Sequence, residues 1–189
     1  VFAGSSLGGT SSINSGTSLR PLDTCLEQWD EQWGTDFSGG GLDRWLDEAE
    51  GTMHVTVPPA ELRNISAGAV EQGFAKLGRD ETYGLPRNID GCRGSGRCCF
   101  GCPTGAKQST DRSYLPQALE AGATIFAHHE ATDIREYDDH VEVNVVSGQR
   151  ERTLTADRLI ISAGALHTPE LLRKNRLGSH RDLAGTHLK

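Results

Sequence analysis

Residues Gly8–Pro21 read GGTSSINSGTSLRP. Glycine and hydroxyl residues make up most of the stretch. Glycines let a backbone approach a ligand with no Cβ in the way. Thr10, Ser11 and Ser12 add hydroxyl donors. Exposed N–H groups in such a loop suit an anionic pyrophosphate. Composition alone fits an ordinary serine-glycine loop equally well. No strand–GxGxxG–helix unit, the usual holder of the ADP half of a dinucleotide, precedes it.

Outward from this loop the chain alternates helical and extended patterns. Cys25–Gly34 (CLEQWDEQWG) places Leu26, Trp29 and Trp33 on one helical face,. A second helix is predicted from about Leu42 to Glu50. A short extended piece, TMHVTVPP, follows, and then a longer helix from PAELRNISAGAVEQGFAKLG with Gly78 at its C-terminal end,. GLPRNIDGCRGSGRCCFGCPTGAK is a long loop. STDRSYLPQALEAGA reads as a helix that Pro116 delays or interrupts,.

The last third is richer in strand signals. ATIFAH is short and apolar, and EATDIREY and HVEVNVV alternate around the turn DDH,. RTLTADRLIISAGA runs from a polar strand into an apolar one, RLIISAG. A final helix is expected from HTPELLRKNRLG, with Thr168 as N-cap and Pro169 at its first position,.

Composition narrows the classes. Apolar residues are 35% of the 189, low for a self-sufficient α/β domain,. The formal charge of -7 disfavours nucleic acid or an anionic membrane as partner,. No apolar run approaches the roughly 20 residues needed to cross a bilayer. The chain opens at Val1 without a signal-peptide pattern and ends at AGTHLK without a cap. The expectation is a central fragment of a longer protein. The five cysteines are an odd count, which points to a reduced, cytoplasmic setting,.

Four ordered blocks resemble one family. LGGTSSIN with SGT and RP is similar to the first signature of the glucose-methanol-choline (GMC) flavin oxidoreductases. Ser5 and Ser18 depart from its usual residues. CRGSGRCCFGCPTGAKQSTDRSYLPQALEAGATI resembles the middle of a bacterial branch related to long-chain alcohol oxidases. HHEATDI resembles the strand that meets adenine, with Ala131 where valine is usual. LIISAGALHTPELLRKNRLG resembles the second signature, with Asn175 and Arg176 in place of Ser-Gly. The closing AGTHL resembles a GRNL or GRHL run.

The resemblance implies an α/β fold: part of a Rossmann-like FAD-binding domain with a β-meander, and a partly helical insert belonging to a substrate domain. Residues 1–24 would carry the pyrophosphate and flavin loop. Residues 25–91 would form the mostly helical substrate or cap region. Residues 92–189 would supply the Cys-rich loop, an FAD-domain helix, the meander and the final strand and helix. Gly8, Gly9, Thr10 and Ser11 would lie by the FAD pyrophosphate, and Asn14, Ser15, Gly16 and Thr17 at the flavin ring. Ala131 would meet the adenine, while Ala163 and Gly164 would end a strand of the FAD-binding sheet.

The implied reaction is oxidation of an alcohol CH–OH group by hydride transfer to flavin N5. The substrate would be a small-molecule alcohol, apolar or sterol-like by the branch resembled. That reaction also needs a base near neutral pKa, for which histidine suits. The family's histidine lies toward the C-terminal end of its members, so no residue of this chain is assigned a catalytic role. The chain alone is expected to show no turnover.

The residues themselves leave other readings open. Cys92, Cys98, Cys99 and Cys102 are spaced like a metal or iron–sulfur loop, although no clean CxxC…CxxC pair is present,. A braced or buried cysteine loop is the competing reading, and Cys99–Cys102 also has the spacing of a redox pair. Among the histidines, His54, His128, His129, His140, His167, His180 and His187, none has a carboxylate at a spacing that compels a role. A non-catalytic remnant is the remaining alternative.

Overall fold

The computed structural model describes residues 3–79 and 82–186. The chain divides into two compact units, Val1–Thr124 and Ile125–Lys189. The closing AGTHL run falls partly outside the described residues, and with it His187.

The first unit carries α1 (Asp23–Trp33), α2 (Asp43–Thr52), β1 (Val55–Thr56), α3 (Ile65–Lys76), β2 (Arg87–Asn88) and α4 (Tyr114–Glu120). Helix α1 stops where Gly34 turns left-handed at φ 65°, as a C-terminal glycine permits. Only Leu26 of its expected face is buried. Trp33 stays 61% exposed and lies against Trp29, with ring centroids 6.0 Å apart. Phe37 meets Trp29 edge-on at 6.3 Å. Asp30 gathers the following turn: its carboxylate accepts from the Thr35 and Ser38 hydroxyls and from the Phe37 and Ser38 N–H groups. Asn64 caps α3 by accepting from Ala67 N at 2.8 Å, as its residue type favours. Pro116 is tolerated in α4 because it falls in the first turn, where no intrahelical N–H bond is lost,.

Residues 86–90 form the spine of this unit. On one side Asn88 N donates to Gly16 O at 3.0 Å, and Ser18 N donates to Pro86 O at 3.0 Å. On the other side Asp90 N donates to Ala106 O at 2.8 Å, and Gln108 N donates to Asn88 O at 2.9 Å. Segment β2 also pairs with β1, Val55 opposite Asn88. Three stretches remote in sequence are thus laced side by side. Among the described residues of this unit, Leu26, Ile89 and Ala106 are the buried apolar ones. So small a core follows from the low apolar content, and hydrogen bonds carry much of the organisation.

The second unit is a β-meander of β3 (Glu130–Glu136), β4 (Val141–Ser147) and β5 (Arg150–Ala156), followed by α5 (Gly164–Lys174). Pairing is antiparallel throughout, with Ile134 opposite Val143 and Val145 opposite Arg152. Ile134 and Val145 are its buried apolar residues. A bulge at Thr132 interrupts the β3–β4 register. The alternation of EATDIREY and HVEVNVV was therefore a sound strand signal.

Several expectations are corrected here. ATIFAH forms no strand, and neither does RLIISAG. An apolar stretch becomes a buried strand only beside partner strands, and the described residues offer RLIISAG none; Ile160 is 88% exposed. Ala163 and Gly164 therefore do not end a strand. They open α5, with Gly164 left-handed at φ 86°. Thr168 is not the N-cap either: α5 begins at Gly164 and Pro169 sits inside it. Pro169 falls early enough that only one intrahelical bond, to Ala165 O, is forgone. All strand pairing among the described residues is antiparallel. The fold is a mixture of helix and antiparallel sheet, and no parallel Rossmann-like sheet occurs among the described residues.

Candidate cofactor site

The glycine loop is built by its own hydroxyls and by a distant tripeptide. Gly8 and Gly9 are left-handed at φ 84° and 53° and launch a tight turn over Gly9–Ser12. Ser11 Oγ donates to Gly8 O at 2.5 Å and is hydrogen-bonded to Thr110 Oγ1 at 2.9 Å. Thr110 N donates to Ser11 Oγ at 3.1 Å, and Thr110 Oγ1 donates to Gly8 O at 3.1 Å. Ser12 Oγ donates to Leu7 O and to Asp111 Oδ1. The Ser11 and Ser12 hydroxyls thus face inward and hold the loop, rather than standing free. Thr10 Oγ1 accepts from Gly4 N at 3.2 Å.

Beneath the loop lies Lys107, only 2% exposed. Its ammonium donates to Asn14 O at 2.8 Å, Ser12 O at 2.9 Å and Cys98 O at 3.0 Å, with Asn14 Oδ1 at 3.3 Å. A buried ammonium is costly unless its donors are met; here four acceptors surround three N–H bonds. Burial holds the Lys107 pKa below the ordinary lysine value, against the opposing pull of the Cys98, Cys99 and Cys102 thiols and of Asp111.

Asn14 Oδ1 also accepts from Gly16 N at 3.0 Å. Its oxygen is thus tied down, and Asn14 itself is exposed. Gly16 is buried and left-handed at φ 76°. A Cβ there would stand 2.7 Å from Asn88 Oδ1. Asn88 is 2% exposed, and its Nδ2 donates to Gln108 O at 2.7 Å while its buried Oδ1 has no partner. Ser15 and Thr17 share a hydroxyl pair at 3.1 Å at the outer side of the loop.

Gly8, Gly9, Thr10, Ser11, Asn14, Ser15, Gly16 and Thr17 therefore fall together in one braced loop. Ala131, Ala163 and Gly164 lie in the second unit. Ala131 sits in β3 opposite Val145, beside the bulge. Asn175 and Lys174, from the end of α5, cover the outer edge of β3. Asn175 Oδ1 accepts from Ile134 N at 2.8 Å, and Lys174 Nζ donates to Thr132 O at 2.7 Å. Arg176 follows left-handed at φ 57°.

The cysteines are all free. Cys102 Sγ accepts from Lys107 N at 3.3 Å and is hydrogen-bonded to Thr104 Oγ1 at 3.5 Å. Burial pushes this thiol up, but bonds from the Thr104 hydroxyl and from the N–H groups of Lys107, Ala106 and Thr104 outweigh it and hold the thiol below its usual value. Cys98 Sγ accepts from Arg87 Nη1 at 3.7 Å. Among the described residues, no three Cys, His, Asp or Glu side chains gather as a metal would require. The metal-loop reading thus lacks a donor set among these residues.

Sequence reasoning missed Lys107, Asn88, Thr110 and Asp111. All but Asn88 sit in a run that the resemblance covered, yet nothing local marks them as partners of a loop about a hundred residues away.

Left-handed glycine backbone and the exposed Asn14 stand over a buried cation, an arrangement whose chemistry suits an anionic group,. A Cβ at Gly9 would meet nothing within 4 Å, so the approach to the loop there is open. The chain belongs to the GMC oxidoreductase family: the family model described as "GMC oxidoreductase" matches residues 1–189. FAD binding is general to that family. An uncharacterized GMC-type oxidoreductase of Mycobacterium tuberculosis is 36% identical over 183 residues, covering 94% of this chain and 28% of the relative. A GMC-type oxidoreductase of Sinorhizobium fredii is 30% identical, covering 92% and 35%. A long-chain-alcohol oxidase of Arabidopsis thaliana is 26% identical, covering 99% and 27%. The chain thus spans about a third or less of the length of these relatives. No solved structure matches it. No helix among the described residues is long and apolar enough to cross a membrane.

Proposed function

We propose that this chain is the cofactor-loop portion of an FAD-dependent enzyme that oxidises the CH–OH group of an alcohol. The observation that carries the reading is the glycine loop of residues 8–17 braced over the Lys107 ammonium. When bound, FAD supplies the hydride acceptor. The chain's own residues supply binding. Gly8, Gly9, Thr10 and Ser11 offer backbone to the pyrophosphate, and Asn14, Ser15, Gly16 and Thr17 line the flavin side. Ala131 meets the adenine, and Ala163 and Gly164 give close passage beside it. The fit is chemical: the left-handed backbone is open to a ligand at Gly9, and the Lys107 ammonium places a positive charge behind the loop,.

In this reading residues 1–24 and 92–189 serve the FAD domain, and residues 25–91 the substrate side. The substrate is a small-molecule alcohol of apolar character, a reading that the name of the Arabidopsis relative, a long-chain-alcohol oxidase, supports. No base for the hydroxyl proton is assigned within the chain. The odd count of five cysteines supports a reducing, cytoplasmic setting,.

The test is to purify the natural polypeptide that carries this chain and release its cofactor by heat. Stoichiometric FAD is expected, with Asn14→Ala lowering its occupancy or slowing its reduction by alcohols. A polypeptide that holds no flavin, even after incubation with FAD, overturns the reading.

A further inference from the structure

The Cys98–Cys102 turn contains nucleophiles that the flavin reading does not use. Two sulfurs there are polarised by different donors. Cys102 Sγ takes the Lys107 N–H and the Thr104 hydroxyl. Cys98 Sγ takes the Arg87 guanidinium, which also donates to Ser15 O at 3.3 Å. The N–H and hydroxyl donors on Cys102 favour its thiolate, which is the reactive form,. Cys99 is exposed, but no polar partner is seen on its sulfur. Lys107 joins the two polarised cysteines: its backbone N–H holds Cys102 Sγ while its ammonium holds Cys98 O. The same ammonium holds Ser12 O and Asn14 O in the glycine loop.

We propose that Cys98 and Cys102 form a hydroperoxide-responsive thiol pair, with Cys102 as the nucleophile and Cys98 as the resolving thiol, coupled through Lys107 to the glycine loop. The Cys102 thiolate attacks one oxygen of the peroxide. An S–O bond forms, the O–O bond breaks, and hydroxide leaves to take up a proton as water. Cys102 is then a sulfenic acid and the peroxide has been reduced. The Cys98 sulfur attacks that sulfur, the S–S bond forms, the S–O bond breaks, and the departing hydroxide takes the Cys98 thiol proton and leaves as water. Two thiols and one peroxide give one disulfide and two waters. Oxidation takes from Lys107 N its thiolate acceptor and redraws the turn that presents Cys98 O. The ammonium therefore loses part of its cage, and its grip on residues 12–14 loosens. The inference concerns the thiols alone and does not rest on the flavin reading.

The test exposes the reduced natural polypeptide that carries this chain to stoichiometric hydrogen peroxide and maps the products by peptide mass spectrometry. A Cys98–Cys102 disulfide is expected, with Cys25 unmodified. In Cys98→Ser, dimedone should trap the sulfenic acid on Cys102. Alkylation of the untreated chain by iodoacetamide should be about tenfold faster at Cys102 than at Cys25, a readout that needs no variant to fold. Hydrogen exchange in residues 8–17 should speed up in the oxidised chain. Oxidation and alkylation of Cys102 no faster than Cys25 would overturn the proposal. A disulfide to Cys99 instead would overturn the assignment of Cys98, and unchanged exchange in residues 8–17 would overturn the coupling.

Discussion

Lys107 donates its ammonium to the main-chain carbonyl of Asn14 at 2.8 Å, across 93 residues of sequence. The bond fixes a loop, residues 8–17, whose one apolar side chain, Ile13, is only half-buried. Removing the ammonium strands the carbonyls of Ser12, Asn14 and Cys98 in a buried site. Lys107→Met relieves the cost of burying a charge but leaves those acceptors unpaired, each a penalty of about 1–3 kcal/mol. The net expectation is a loss of roughly 2–4 kcal/mol, read as a lower urea midpoint. Lys107→Arg should also destabilise, because a planar guanidinium cannot direct three N–H bonds at carbonyls arranged for a tetrahedral ammonium. Full stability in Lys107→Met would mean that the cage contributes nothing net.

Gly16 and Gly34 separate backbone strain from steric overlap. Both are left-handed, at φ 76° and 65°. A Cβ on Gly34 meets nothing within 4 Å, whereas one on Gly16 meets Asn88 Oδ1 at 2.7 Å. Gly34→Ala should cost about 1–2 kcal/mol, the left-handed penalty alone. Gly16→Ala should cost about 1–3 kcal/mol more, because Asn88 is buried and cannot withdraw. Equal losses in the two variants would mean that Asn88 shifts freely.

The Asp30 clamp makes the α1–α2 connection sensitive to acid. The Ser38 and Thr35 hydroxyls, with the Phe37 and Ser38 N–H groups, hold the Asp30 carboxyl well below the usual carboxylate range, against a smaller upward push from burial. A folded pKa below the unfolded one adds stability that is complete above the unfolded value near 4. That stability is lost as pH falls through the folded value. Urea midpoints of the native chain and Asp30→Asn should therefore differ at pH 6 and converge in strong acid. A difference that is constant with pH would show that the carboxylate charge is not what holds the turn.

These cases also explain what was legible in the sequence. Local patterns read well: Gly34 after α1, the DDH turn between β3 and β4, and the glycine loop itself. Each depends on residues adjacent in the chain. The brace beneath the loop was not legible, because Lys107, Asn88 and Thr110 reach it only through long-range pairing around residues 86–90. A lysine in a polar run reads as a solvated side chain, and only the fold shows it buried. Leu159–Ile161 misled in the opposite sense. Apolar residues in a row promise a buried strand, yet burial requires partners that the described residues do not provide. The start of α5 was misplaced because Pro169 is a strong helix-start signal, and Gly164 a weak one.

Asn175 and Arg176 occupy the two positions that departed from the resembled signature, and the structure gives each a distinct consequence. Asn175 turns back to cap the edge of β3: its Oδ1 accepts from Ile134 N and its Nδ2 donates to Leu171 O at 2.9 Å. Asn175→Ala should therefore cost about 1–2 kcal/mol, by leaving a half-buried N–H unpaired. Arg176, in contrast, bears left-handed strain at φ 57°. Its main-chain oxygen accepts a long 3.4 Å bond from Arg181 Nη1, which a glycine at 176 would keep. Arg176→Gly should relieve the strain, less the added backbone entropy of the unfolded chain, for a net gain of about 0.5–1 kcal/mol. Thermal unfolding of the two variants decides the matter. Opposite shifts in Tm are expected, and a loss of stability in Arg176→Gly would show that the arginine side chain contributes more than its backbone strain costs.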